Sequence, residues 1–184
     1  MKNKRPKMVM YTFNVKVEKP EDIAQISELT KPMLGETCSR VRFICGGELI
    51  VDIGQLIPYI SKDTTAPRRG EWSLGICGMG WQLLDEEGLF TLATSNECQK
   101  MALTRLETLV SAKVVAFEVD YPGLGVMLRF NNNQSLKLTP FDDQEGSRLI
   151  YWDLLTPTRS FIQAGPGSQW LYQRFEAIEP DPLF

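Results

Sequence analysis

Hydrophobic and polar residues alternate near the start of the chain, with Val9, Tyr11, Phe13, Val15 and Val17 on one parity and Met10, Thr12, Asn14 and Lys16 on the other. Period two over this length predicts a half-buried strand. After Pro20 the period lengthens: Ile23, Ile26 and Leu29 fall at helical spacing, and Glu21 and Asp22 occupy the first turn, where the helix dipole favours acids. A short amphipathic helix is expected there, closed by Pro32 and Gly35. The stretch RVRFICGGELIVDIG then predicts two strands about a Gly46-Gly47 turn.

The same succession follows further along. Met101, Ala102, Leu106 and Leu109 line one side of an expected helix from about Asn96 to Leu109, with Ser95 or Asn96 as its cap. In KVVAFEVDY, Val115, Phe117, Val119 and Tyr121 share a parity, and LGVMLRF and SLKLTPF flank the turn NNNQ, which tolerates left-handed backbone.

Each of these runs leads into a similar segment, WQLLDEEGLFTLA at residues 81–93 and WDLLTPTRSFIQA at 152–164. An offset of 71 matches Trp81, Leu83, Leu84, Phe90 and Ala93 to Trp152, Leu154, Leu155, Phe161 and Ala164, while an offset of 74 matches Val41 and Phe43 to Val115 and Phe117. Five identities in thirteen positions also arise by chance in a search over all windows; the shared Trp and the agreeing order of elements favour an internal duplication. The expectation is an α+β protein, a single compact unit over residues 1–184. Its halves, 20–95 and 96–175, are expected to be pseudo-repeats, each a short helix plus antiparallel strands, with strand exceeding helix.

Composition changes the picture mainly by exclusion. With 43% hydrophobic residues in 184, the chain can bury one ordinary core or two small ones in contact. No apolar run approaches the eighteen residues of a membrane span, and the basic start, MKNKRPK, leads into no signal-peptide pattern, so a cytoplasmic protein is expected. Cys38, Cys45, Cys77 and Cys98 form no C-x-x-C spacing and are expected as reduced thiols. There is no histidine at all. Ser-His-Asp and Cys-His nucleophiles, HExxH zinc sites and two-His-one-carboxylate iron sites are thereby excluded.

Other stretches add little chemistry. GICGMG at 75–80 lacks the order of a dinucleotide or P-loop motif and is expected as a turn or bulge, and the acids of PFDDQEG at 140–146 miss the EF-hand spacing. No cofactor and no metal are expected. The net charge of −3 argues against nucleic acid as a partner, despite Arg68 and Arg69.

These exclusions leave a non-catalytic protein-binding module, such as a small inhibitor or a toxin-neutralising immunity-like protein, as the expected function, with a protein partner. The alternatives are a small-ligand binder with a cleft between the halves, walled by Trp81 and Trp152, and a carboxylate or magnesium enzyme. Candidate contact residues are Arg68, Arg69 and Trp170, the last read as an exposed-loop tryptophan in AGPGSQW, together with Trp81 and Trp152.

Overall fold

The computed structural model describes residues 8–44, 48–58, 68–77, 79–85, 88–91, 96–140 and 150–177. Strand content exceeds helix. The alternating start is β1 (Met8–Lys16); a 3-10 turn, Pro20–Ile23, then feeds α1 (Ala24–Thr30) and a second 3-10 turn, Lys31–Met33. The strands β2 (Cys38–Phe43), β3 (Leu49–Pro58), β4 (Arg68–Ile76), β5 (Met79–Asp85) and β6 (Gly88–Thr91) follow. The helix α2 (Asn96–Leu106), with its 3-10 end Glu107–Leu109, precedes β7 (Val114–Val119), β8 (Val126–Phe130) and β9 (Ser135–Pro140). The chain closes with β10 (Trp152–Leu155), β11 (Ser160–Gly165) and β12 (Gln169–Ala177).

The strands form two antiparallel sheets, ordered β1-β12-β11-β10-β4-β3-β2 and β6-β5-β9-β8-β7. This corrects the expectation that each half makes its own sheet. Strands β2 to β4 join β10 and β11, while β7 to β9 join β5 and β6. Between Ile76, which ends β4, and Met79, which starts β5, the chain passes from one sheet into the other. The stretch GICGMG is this crossing.

The sheets meet at their β2 and β7 edges. Around the isolated Thr37–Lys113 bridge, Cys38 N donates to Ala112 O at 2.8 Å and Val114 N to Glu36 O at 2.9 Å. Just outside them, Gly35 N donates to Val114 O and Ser111 N to Cys38 O, both at 2.8 Å. Gly35 and Ser111 both have positive φ, +91° and +76°, which ends the helical segment before each of these strands. Inward-facing residues of both sheets, including Val51, Leu74, Leu83, Leu128, Leu136 and Trp152, form one apolar core.

Three parity readings shift. A bulge between Val114 and Ala116 puts Val114 and Phe117 inside and leaves Val115 51% exposed, so Val115, Phe117 and Val119 do not share one buried face. Another bulge lies between Cys38 and Arg40, so Val41 occupies the place after its bulge that Phe117 occupies after the other. The offset of 74 thus pairs Val41 with Val115, which lies inside the second bulge, and not with Phe117. In the hairpins, Leu83 faces Phe90 but Leu154 faces Ile162, because the second turn holds one more residue; Phe161 faces Leu155. On α2, Ala102 and Leu106 are buried while Met101 is exposed. The Gly46-Gly47 turn, Ser95 and residues 141–146 lie outside the described residues.

Candidate binding surface

The outer face of the seven-stranded sheet carries two rows of side chains fixed by strand register. One runs Arg42, Ile50, Gly75, Asp153, Gln163, Leu171 and Asn14; the other runs Arg40, Asp52, Ser73, Leu155, Phe161 and Gln173. Period two places these residues opposite the core-facing set, and all but Asp52 keep some exposure. Six spacings of about 4.8 Å make the face roughly 29 Å wide.

Asp52 is 0% exposed although it points outward. Its Oδ1 accepts from Gly70 N at 3.0 Å and Ser73 Oγ at 2.9 Å; its Oδ2 accepts from Arg40 Nε and Nη2 at 2.9 and 2.7 Å and from Arg42 Nε at 3.3 Å. Burial alone would raise its pKa, but the Gly70 N–H, the Arg40 guanidinium, the Ser73 hydroxyl and the Arg42 charge outweigh it and hold the carboxyl below its ordinary value. A carboxylate so fully occupied is a brace for two arginines, not a free base.

A second group lies further along the same face. Burial, then the Glu48 charge, raises the Asp153 carboxyl, and a Cβ at Gly75 would lie 2.5 Å from Asp153 Oδ1, so a side chain there would push this carboxylate aside. Burial, then Glu48 and Asp153, pushes the Cys77 thiol up to about 11, and burial followed by the Asp52 charge pushes Cys38 to about 12. Neither thiol ionises near neutral pH, so neither is a ready nucleophile. Both are free thiols.

The candidates singled out from sequence do not gather in one place. Trp170 is in β12, 1% exposed, with its indole N–H donating to Asp22 O at 2.9 Å, which corrects its placement in an exposed loop. Trp152 is 0% exposed, donates to Leu124 O at 2.8 Å and meets the Phe117 ring edge-on at 5.9 Å. Both fit because Ala164 lies between them in the register and leaves room for two indoles. Trp81 is partly buried beside Phe43, with ring centroids 6.1 Å apart. Arg68 and Arg69 open β4 opposite Pro58 and Ile57, in a strand rather than a loop; the Arg68 side chain lies outside the described residues.

Sequence reading missed Asp52, Arg40 and Arg42. The signal was present: folding RVRFICGGELIVDIG about its glycines sets Arg-x-Arg against Asp52 on one parity. Two shallow hollows accompany the sheets, one of about 210 Å³ beside Asn14, Gln163 and Gln169, the other of about 270 Å³ beside Glu118, Asp120 and Lys137. Among the described residues no group of three or more Cys, Asp or Glu could hold a metal ion, and no helix is long and apolar enough to cross a membrane. No family model matches the chain, and no curated protein or solved structure matches it either.

Proposed function

We propose that this protein binds another protein through the outer face of its seven-stranded sheet, as an inhibitor or neutralising module does, and does not turn over a substrate. One observation carries the reading: the two registered rows interleave arginines, partly exposed Ile50, Leu155, Phe161 and Leu171, and amides across a face about as wide as a standard interface of roughly 800 Å² per partner. The alternative of a ligand cleft between the halves has less support, since Trp152 belongs to the core and Trp81 packs on Phe43. Free thiols at Cys38 and Cys77 fit a reducing, cytoplasmic setting. The test is capture of a stoichiometric partner from the native host followed by calorimetry with Phe161→Ser and Leu155→Ser. Each should weaken binding by more than about 1 kcal/mol without lowering the unfolding midpoint. Binding untouched by both, or a metabolite retained in place of a protein, would overturn the reading.

We also infer that the chain is a duplicated unit whose last two strands are exchanged between the halves. The support is positional. A shift of 76 takes the Lys31–Met33 turn onto Glu107–Leu109, Gly35 onto Ser111, and the Thr37 side of the bridge onto its Lys113 side. The same shift takes Cys38 with its bulge onto Val114 with its own. Trp81 faces Leu138 on β9 just as Trp152 faces Ile76 on β4, and Leu83 faces Leu136 as Leu154 faces Leu74.

A further inference from the structure

Among the described residues, one sheet edge is both long and unguarded. The β2 and β7 edges meet across the Thr37–Lys113 bridge, with α2 packed against β2 and α1 against β7. The free edge of the five-stranded sheet is β6, only four residues long. At the far end of the seven-stranded sheet stands β1, nine residues long, with β12 as its one neighbouring strand. Edges of this length are ordinarily protected by charge, proline or a bulge. From Met8 to Val15 the strand reads MVMYTFNV, without a charged residue, proline or glycine, and its register with β12 is unbroken to Lys16.

The register also fixes which backbone groups point away from the sheet. Val17 N donates to Ser168 O at 2.8 Å, one step beyond the Lys16–Gln169 pair, so the odd-numbered residues of β1 exchange their bonds with β12. The next strands agree in phase: Ala164, opposite Trp170, turns its carbonyl the other way, to Tyr151 N at 2.8 Å. Met8, Met10, Thr12, Asn14 and Lys16 therefore direct both N–H and C=O outward, and no described strand lies on that side.

We infer that the protein is a two-fold dimer in which the β1 strands of two copies pair antiparallel, with Thr12 on the axis. Thr12 is the midpoint of Met8–Lys16, so an axis there pairs the whole strand. The outward-bonding residues then meet one another: Thr12 meets Thr12, Met10 meets Asn14 and Met8 meets Lys16 of the second copy. Two bonds for each such pair give about ten in all, the number a standard interface carries. In the closer pairs between them, Tyr11 stands opposite Phe13 and Val9 opposite Val15 of the second copy, aromatic and β-branched pairings that favour strand association. No like charges meet, since Lys16, ion-paired to Glu18 at 3.0 Å, is the strand's one charged residue. A foreign strand would have to supply this pattern; a second copy already has it. One such edge per chain closes the assembly at two. The two-fold axis of an antiparallel pair stands perpendicular to the sheet, so both outer faces lie on the same side of one continuous sheet. The dimer does not depend on the protein-binding reading above, but it would present that face twice.

Sedimentation of the full chain at rising concentration is expected to show a dimer or a monomer–dimer equilibrium. Hydrogen exchange followed by NMR locates the contact: the Met10, Thr12 and Asn14 amides should be protected only in the dimer, those of Tyr11, Phe13 and Val15 in either state. Thr12→Pro removes an outward N–H and no bond to β12, and should raise the dissociation constant at least tenfold and free the Met10 and Asn14 amides. Thr12→Lys, which opposes two like charges on the axis, should weaken the dimer too and serves if the proline lowers the urea midpoint. Val115→Lys, at the 51% exposed residue of β7, should leave it unchanged. A chain still monomeric at about 1 mM, the weak end of specific association, would overturn the inference. So would assembly beyond two, a dimer that survives the Thr12 variants or is lost with Val115→Lys, or outward amides protected in the monomer. If a captured protein is lost with Thr12→Pro while the natural chain alone stays monomeric, the edge belongs to that partner and the dimer is refuted.

Discussion

Replacing Asp52 with Asn removes one charge and adds two N–H donors at the one charged group that is fully buried among the described residues. Neither orientation of the amide suits the site. With Nδ2 on the Oδ2 side it meets Arg40 Nε, Arg40 Nη2 and Arg42 Nε, donor against donor; flipped, it meets the Gly70 N–H. Breaking a buried ion pair from one side costs about 3–5 kcal/mol. The side chains of Arg40 and Arg42 are 34% and 32% exposed, so water recovers part of their loss. The expected cost is therefore the lower end, about 3 kcal/mol. Against a total stability of about 5–15 kcal/mol that is a large fraction. Urea unfolding at pH 7, repeated at falling pH, measures it. The folded carboxyl lies below its ordinary value, so its stabilisation is complete above the unfolded pKa near 4 and is lost as pH falls through the folded value. The advantage of the natural protein over Asp52→Asn should accordingly shrink below about pH 4. A cost under about 1 kcal/mol at pH 7, the net worth of a single neutral hydrogen bond, would refute the reasoning, as would a gap that acid leaves unchanged.

Trp152→Phe should cost about 2–3 kcal/mol by urea unfolding, through a lost hydrogen bond to Leu124 O and a cavity in the core, whereas Trp81→Phe, at a partly exposed ring, should cost less than about 1 kcal/mol. Asp153→Asn should stabilise the protein at neutral pH. Burial and then Glu48 raise the folded carboxyl, so its unfavourable contribution grows as pH rises through the folded value, and the gain in melting temperature should vanish below about pH 4. With its thiol raised to about 11, Cys77 should react with iodoacetamide at pH 8 about 100-fold more slowly than free cysteine. All four cysteines should titrate as thiols in denatured protein without reductant. Fragments 1–95 and 96–184 should each lack cooperative structure by circular dichroism and regain it on mixing, because β4 needs β10 and β9 needs β5.

Short-range pattern made the elements legible. The alternation before Pro20, the Ile23–Ile26–Leu29 spacing and the NNNQ turn, in which Asn133 has φ +63°, correspond to β1, α1 and the β8–β9 hairpin. What pattern could not carry was the pairing of strands distant in sequence. Nothing in WDLL says that Trp152 will face Ile76 rather than a strand of its own half. Bulges escaped for a related reason: one extra residue flips every later side chain, and Val115 reads as core until the Val114–Ala116 irregularity is seen. Trp170 misled because the turn before it, with Gly167 and Ser168 both at positive φ, ends one residue before β12 begins. Its neighbours read as loop while the indole itself lies in the core. Arg40 and Arg42 carried no signal of their own in the strand pattern; only pairing with β3 brings Asp52 between them.

The pairing of β4 with β10 bears directly on where binding can occur. Arg40, Arg42, Ile50 and Ser73 come from the first half of the chain, and Asp153, Leu155, Phe161, Gln163 and Leu171 from the second, and they join at the β4–β10 seam, where Ser73 faces Leu155 and Gly75 faces Asp153. The cationic part of the surface therefore belongs to the first half, and all of its apolar part but Ile50 to the second. A partner that reads both reads only the assembled fold, since the half that supplies Phe161 carries Ala116 and a neutral Glu118–Arg129 pair where the other supplies Arg40, Arg42 and Asp52. In a symmetric pair of identical units, each face would show the same charge pattern twice over. Under the proposed duplication, the Arg40–Arg42–Asp52 cluster and the Glu118–Arg129 pair are where the two copies differ, and a partner that discriminates between the seven-stranded and the five-stranded face would read that difference.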